Sequence, residues 1–140
     1  MIILAVDLGK ARTGIAVCDR LEILASPVCT ITETSTNKLI IDVADKAREL
    51  KAEHIVVGLP KNMDGTEGDS AKSCREFAKS LEEKSGLPVT LWDERLTTKS
   101  AAIFLNSTDT RGKKRKQVID SLSASIILEG YLSSRKRDSL

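Results

Sequence analysis

Hydrophobic positions along the first 31 residues form three short continuous runs, and these predict three β-strands. The runs cover residues 2–7, 14–18 and 23–31 and are joined by short polar links. Such spacing favours an antiparallel meander. Pro27 lies inside the third run, and a residue without a backbone N–H fits a sheet only at an edge or a bulge. We therefore expect the third strand at an edge of the sheet.

The hydrophobic period then changes from that of strands to that of helices. Apolar residues from 39 to 50 recur every three or four positions, after candidate N-caps at 35–36. Short apolar runs at 54–57 and 89–92 flank a second helical segment that ends at Gly86. Strand, helix, strand, helix, strand in this order indicates right-handed crossovers and parallel pairing.

The last third of the chain is predicted to contain a short helix at about 98–105, a mobile basic loop at 106–117, a helix at 118–132 and a basic tail at 133–140. The whole pattern predicts one α/β domain over residues 1–140. Its mixed sheet has five strands, three antiparallel and then two parallel, and helices cover it.

Composition narrows the class of protein. A chain of 140 residues with 41% hydrophobic residues can bury a core without disulfides or zinc. No apolar stretch is long enough to span a membrane, and the N-terminus lacks the pattern of a signal peptide. The three cysteines form no CxxC pair, and there is one histidine, so reduced thiols in the cytoplasm are expected rather than a Cys/His metal site.

Charge is distributed unevenly although the net value is only +2. Residues 1–110 carry 14 Lys/Arg and 17 Asp/Glu, whereas residues 111–140 carry 8 Lys/Arg and 3 Asp/Glu. An acidic scaffold with a basic arm suits a polyanionic partner. A solubilising tail would give the same pattern, and charge alone does not separate the two.

The first candidate for chemistry is Asp7 at the end of the first strand. A carboxylate there is expensive to bury unless a ligand or a cation offsets its charge. Gly9 and Gly14 permit a tight turn that brings Lys10 and Arg12 towards a phosphate. Alternatively, Asp7 only caps the turn, as aspartates often do.

Three further acidic residues are candidates. Asp93 and Glu94 follow the last predicted strand at the same sheet edge as Asp7, and alternation along a strand lets only one of them face a shared site. A turn with an internal ion pair to Arg95 is the alternative. Asp120 follows the basic run 111–116, yet an Asp in the first turn of a helix is favoured by the macrodipole without any function.

Phosphodiester hydrolysis is the chemistry that connects these carboxylates. Mg²⁺ is held by a few carboxylates together with substrate phosphate oxygens and water, and a pair of such ions supports hydrolysis of the phosphodiester bond. The glycine-rich segment 58–68 follows a parallel strand, so Lys61 and Asn62 are expected to contact the substrate.

The order of the motifs resembles the YqgF/RuvX family of RNase H-like proteins, described as pre-16S rRNA nucleases and as Holliday junction resolvases. The resemblance runs nearly end to end and rests on Asp7-Leu8-Gly9 with Arg12-Thr13-Gly14, Gly58-Leu59-Pro60 with Asn62 and Gly65-Thr66, Trp92 to Thr98, Lys114 and Lys116 before Ile119-Asp120, and the pairs Ile127-Leu128 and Tyr131-Leu132.

The resemblance implies an RNase H-like fold and an acidic set of Asp7, Glu94 and Asp120 that binds Mg²⁺ or Mn²⁺, with Asp93 as a helper. Resolvase relatives place an acid where this chain has Gly58-Leu59-Pro60, which makes Glu94 the replacement. The positions expected to contact nucleic acid are Lys10, Arg12, Lys61, Asn62, Arg95, Lys113, Lys114 and Lys116.

Three functions fit this sequence. The first is a nuclease that processes the 5′ end of pre-16S rRNA, and cleavage of four-way DNA is its leading variant. The second is a non-catalytic nucleic-acid-binding protein in ribosome assembly. The third is an actin-like ATPase, which would need two such domains. The sequence does not decide whether the substrate is RNA or DNA, or whether the chain is a monomer or a homodimer.

Overall fold

The computed structural model describes residues 1–61, 64–93 and 112–138, with the backbone alone at 112–119 and 137–138. Within these ranges the elements follow in the order β1 (Ile3–Asp7), β2 (Arg12–Cys18), β3 (Ala25–Thr32), α1 (Thr36–Glu49), β4 (His54–Leu59), α2 (Asp69–Ser85), β5 (Val89–Asp93) and α3 (Gly112–Asp138). The predicted helix at 98–105 falls outside the described residues.

The five strands form one mixed sheet in the order β3-β2-β1-β4-β5. Strands β1, β2 and β3 pair antiparallel, and β4 joins β1 and β5 in parallel. This arrangement confirms the mixed sheet predicted from the hydrophobic pattern. It brings the ends of β1, β4 and β5 to one edge, which we call the carboxyl edge.

Helices cover both faces of the sheet, which explains why the central strands are apolar throughout. Helices α1 and α2 cover one face, and the buried core there includes Leu4, Val6, Val43, Val57 and Phe77. Helix α3 covers the other face, where the core includes Ile3, Ala5, Val56, Ile127 and Leu128. Alternate residues of β1 therefore belong to different cores.

Strand β3 is an edge strand, as Pro27 predicts. The register shifts from Ile15 opposite Cys29 to Ala16 opposite Pro27, which leaves Val28 as an additional residue. A bulge at this point accommodates the missing N–H of the proline.

The boundaries of the two crossover helices also follow their sequence signals. Ser35 is the N-cap of α1, and its hydroxyl accepts a hydrogen bond from the Lys38 N–H. Gly86 ends α2 with φ of 73°, in the left-handed region that glycine adopts without strain.

Helix α3 is longer than the pattern predicts, and this corrects two expectations. It begins at Gly112 instead of residue 118, so residues 112–117 of the predicted loop are helical. It ends at Asp138, so most of the predicted basic tail is helical as well. Lysine, arginine and glutamine have high helix propensity, and residues 131–138 contain no proline or glycine to stop the helix.

Cys18, Cys29 and Cys74 are free thiols, and the first and last are buried. The burial of Cys18 and Cys74 agrees with the expectation of packed cysteines. In the described part of the chain, every helix is too short or too polar to cross a lipid bilayer.

Candidate functional site

The turn between β1 and β2 is compact, because Gly9 packs against the backbone of Arg12 and is hydrogen-bonded to Thr13. A Cβ built on Gly9 would overlap the backbone carbonyl of Arg12. The Gly9 N–H donates a long hydrogen bond of 3.4 Å to Thr13 Oγ1, and the Thr13 side chain is fully buried. The turn therefore has an internal acceptor for this N–H, and Asp7 is not needed to supply it.

Asp7 lies at the last position of β1, half-buried, directly opposite Gly14 of β2. Gly14 contacts helix α3, because a Cβ built on Gly14 would overlap the backbone carbonyl of Asp120. Cross-strand neighbours in an antiparallel pair have Cα atoms about 4.5–5.5 Å apart. Asp120 therefore lies next to the strand position that faces Asp7.

An ion pair also holds Asp120 to the turn. Arg12 Nε donates to Asp120 Oδ2 at 3.0 Å, and the side chains are 41% and 20% exposed. The sequence predicted both residues at the site, but it did not predict that they contact each other.

Asp120 is the ninth residue of α3, because the helix begins at Gly112. The effect of the helix macrodipole falls off within the first turn. The structural explanation that the sequence offered for this aspartate therefore does not apply. Its contact with Gly14 and Arg12 gives it a definite place beside Asp7 instead.

Asp93 lies on the other face of the sheet. The register pairs Val6 with Val57, Gly58 with Trp92 and Leu59 with Asp93. Trp92 packs against the core under α3, whereas Leu91 packs against the core under α1 and α2. Alternation along β5 therefore directs Asp93 away from the face that Asp7 shares with α3.

Two of the predicted cationic residues lie at the carboxyl edge. Lys10 is exposed in the β1–β2 turn, and Lys61 is half-buried just after β4. Lys113, Lys114 and Lys116 lie in the first turns of α3, and their side chains are outside the described residues, as are Asn62, Glu94 and Arg95. Their roles stay predictions.

Two acidic residues of the predicted set are thus brought together, Asp7 and Asp120. Among residues 1–61, 64–93 and the described side chains of α3, no group of three Asp, Glu, His or Cys side chains is arranged to hold a metal ion. The third predicted ligand, Glu94, falls outside those ranges.

A second cluster, at the opposite end of α3, was not predicted from the sequence. Arg135 donates to both oxygens of Glu22, at 2.6 and 3.4 Å, and the N-terminal ammonium group donates to Glu22 at 3.0 Å. The hydrogen bond from Arg135 lowers the pKa of Glu22. Arg135 also lies 5.8 Å from the centre of the Tyr131 ring. The chain's single tyrosine and single histidine were the only available signals for this cluster.

Tyr131 stacks on His54 with ring centres 5.8 Å apart. His54 Nε2 lies 2.8 Å from Thr90 Oγ1, so a strand of the parallel part of the sheet joins the cluster. Burial, followed by the charge of Arg135, lowers the pKa of His54, which favours a neutral ring. These contacts fasten the end of α3 to the sheet.

Comparison with known proteins adds the following relationships. Residues 1–134 match the family model RuvX, described as "Holliday junction resolvase". A protein of Lachnospira eligens named "Putative pre-16S rRNA nuclease" is 46% identical over 140 residues, which cover 98% of this chain and all of that protein. A protein of the same name from Bacillus cytotoxicus is 42% identical over 137 residues, covering 96% of this chain and all of the relative.

Solved structures show the same fold at low sequence identity. The RuvC structure of Thermus thermophilus has a TM-score of 0.63 at 11% identity, covering 97% of this chain and 96% of the other. The Fowlpox virus resolvase in complex with Holliday junction DNA has a TM-score of 0.58 at 14% identity, covering 96% and 98%. These similarities concern the RNase H-like architecture alone.

Proposed function

The chain belongs to the RuvX family, and on this premise we propose that it is a divalent-metal-dependent nuclease that processes the 5′ end of pre-16S rRNA in the cytoplasm. The relatives named for this activity match the chain over nearly its whole length. The proposal concerns three separate points: the reaction, the metal and the substrate.

The proposed reaction is supported by one observation of the structure, which is that Asp7 and Asp120 lie close together. The two residues come from the first strand and the last helix, and Gly14 is the shared neighbour that brings them together. Two carboxylates placed side by side repel each other, and the Arg12 guanidinium offsets the charge of Asp120. Such a placement is what a metal-dependent phosphodiesterase requires.

The donor chemistry fits Mg²⁺ or Mn²⁺. Both ions prefer carboxylate oxygens and take the remaining ligands from water and substrate phosphates. When bound, such an ion supplies Lewis-acid stabilisation of the charge on the reacting phosphate. We assign the third carboxylate to Glu94, which the family resemblance implies, because alternation along β5 directs Asp93 to the other face.

The cations of this edge would position the nucleic acid. Lys10 lies in the turn that follows Asp7, Arg12 is the first residue of β2, and Lys61 follows β4 at the same edge. Arg12 has a second task, because its guanidinium holds Asp120 by a single hydrogen bond. A guanidinium can bind carboxylate and phosphate in the same planar mode, so Arg12 can contact a substrate phosphate while it orients Asp120.

The test is Mn²⁺-dependent cleavage of a pre-16S rRNA leader by the full chain and by Asp7→Asn. We expect Asp7→Asn to lower the rate by at least about a hundredfold, because one carboxylate contributes several kcal/mol through the metal. Asp42→Asn, an exposed acid on α1, is the matched control and should cleave like the wild type. Glu94→Gln should resemble Asp7→Asn, and Asp93→Asn should resemble the control.

A second readout separates metal binding from activity. Millimolar Mn²⁺ should raise the melting temperature of the wild type by mass action and should raise that of Asp7→Asn less. Equal cleavage by Asp7→Asn and wild type, with equal metal-induced shifts, would contradict the assigned site.

Cleavage of four-way DNA is the second candidate, since the matching family model is described as a Holliday junction resolvase. A four-way DNA junction belongs in the same assay. Symmetric resolution needs two active sites, so it would require a homodimer, which size-exclusion chromatography detects. Binding of RNA without any cleavage would instead favour the non-catalytic assembly factor.

A further inference from the structure

A cavity of about 530 Å³ lies on the α1/α2 side of the sheet, at the carboxyl edge. It lies between the beginning of α1 and residues 69–80 of α2, beside Leu8 and Gly9, which follow Asp7 directly. In α/β proteins the crevice outside the carboxyl ends of parallel strands is the usual place for a ligand. We call this space the α1/α2 cavity.

The size and lining of the α1/α2 cavity suit an organic ring. Its volume falls within the range of about 300–1,000 Å³ found for small-molecule sites. Leu39, Ile40 and Phe77 form an apolar floor, and each is less than a tenth exposed. Hydroxyl and amide groups surround the floor, among them Asn37 and Ser73. A flat heterocycle with polar edges matches this combination.

The charges of the lining favour a base over a phosphate. Among the described residues that line the cavity, Lys10 is the one cation, whereas Glu33, Asp69 and Glu76 are acidic. A phosphate group inside the cavity would be repelled by these carboxylates. Carboxylates accept hydrogen bonds from the exocyclic amino groups of A, C and G, whereas uracil offers only its imino N–H, flanked by two carbonyl oxygens that the carboxylates repel.

The cavity is also close enough to Asp7 for one substrate to occupy both places. Gly9 lines the cavity and is two residues from Asp7, a separation of at most about 7 Å along the chain. A single strand that crosses this edge of the sheet can contact both faces. A phosphate held near Asp7 on one face and the base beside it in the cavity on the other face is therefore a consistent arrangement.

We propose that the α1/α2 cavity binds one unstacked, amino-bearing base of the nucleic acid, next to the phosphate at Asp7. The inference rests on the proposed function, and it adds a sequence preference that the carboxylate site does not supply. Single-stranded RNA is commonly recognised in this way, through bases that leave the stack and present their edges to the protein. The preference is for A, C or G over U.

The test uses single-stranded oligouridine RNA that carries one central A, C or 2-aminopurine, bound to the full chain in EDTA so that nothing is cleaved. Binding should raise the fluorescence of 2-aminopurine, and RNA with an amino base should bind about tenfold more tightly than all-uridine RNA. Ser73→Trp fills the cavity from an exposed position of α2 and should abolish both effects. Lys72→Trp, its exposed neighbour outside the lining, should retain them.

A conservative pair of variants tests the chemistry without filling the space. Glu76→Gln should reduce the preference for an amino base while all-uridine RNA binds as before, and Glu83→Gln, exposed on the same helix and outside the lining, should change nothing. An unchanged base preference in both Ser73→Trp and Glu76→Gln would overturn the inference, provided that both variants melt like the wild type.

The two proposals fail in different ways. If the wild type binds amino bases selectively, Ser73→Trp abolishes this selectivity, and neither cuts RNA with Mn²⁺, base binding in the cavity is supported and the nuclease proposal is contradicted. Metal-dependent cleavage with the same base profile in wild type and Ser73→Trp supports the nuclease and overturns the cavity.

Discussion

Helix α3 is joined to the antiparallel part of the sheet by two arginine–carboxylate pairs that differ in strength. Asp120 and Arg135, the helix residues of the two pairs, are 15 positions apart, which is about 22 Å along a helix. At the candidate site, Arg12 contacts one oxygen of Asp120. At the other end, Arg135 contacts both oxygens of Glu22, which also binds the N-terminal ammonium group.

The difference separates a structural ion pair from one suited to take part in ligand binding. Bidentate pairs with additional contacts are geometrically fixed and contribute the most. A single hydrogen bond between partly exposed groups contributes little to stability, and the guanidinium can bind a phosphate at the same time. The comparison indicates that one end of α3 anchors the helix, and that the other end keeps a carboxylate in place for binding.

The largest expected effect comes from Gly14→Ala, because the added Cβ would displace backbone atoms of Asp120 rather than a flexible side chain. Overpacking of this kind costs about 3 kcal/mol of the free energy of unfolding. Urea denaturation measures it. Gly68→Ala is the matched control, since a Cβ there meets no atom within 4 Å, and it should cost less than about 1 kcal/mol. Equal losses of stability in both variants would contradict the close approach of α3 to Gly14.

The two arginines test the comparison directly. Arg135→Met should lower the free energy of unfolding by about 1 kcal/mol, because it removes a bidentate pair and a contact with the Tyr131 ring. Arg12→Met should lower it by no more than about 0.3 kcal/mol and should weaken RNA binding and cleavage instead. If Arg12→Met proves the more destabilising change, the assignment of anchor and binding ends is reversed.

The smallest expected effect is that the Glu22–Arg135 pair stabilises the fold less at low pH. The pKa of Glu22 is lowered from its ordinary value of 4.5, first by the hydrogen bond from Arg135. A lowered pKa in the folded state contributes stability above pH 4.5, and this contribution is lost as the pH falls through the folded-state value.

Melting temperatures of wild type and Glu22→Gln should therefore differ at pH 7 and converge towards pH 3. A gap of constant size over this range would show that packing, and not charge, holds the pair together.

Much of the fold followed from the sequence, because strand and helix periods are local properties of the chain. The alternation of short apolar runs with two helical segments predicted the five strands and the mixed sheet, and Pro27 predicted the edge strand. Helix ends at Ser35 and Gly86 were predicted for the same reason, since caps act within a few residues. The beginning of α3 was predicted six residues late. A run of like charges is typical of a loop, but lysine and arginine also have high helix propensity, and here they are helical.

The candidate site was predicted as a set of residues, and the tertiary structure decided how they are placed. No local signal states that Gly14 lies beneath Asp120, that Arg12 holds that carboxylate, or that Asp93 faces away from Asp7. The α1/α2 cavity and the cluster at Arg135 likewise combine residues from distant segments. Such contacts depend on the register of the sheet and on the path of α3 across it. These are set by packing of the whole core, whereas the type of each element is set by its own residues.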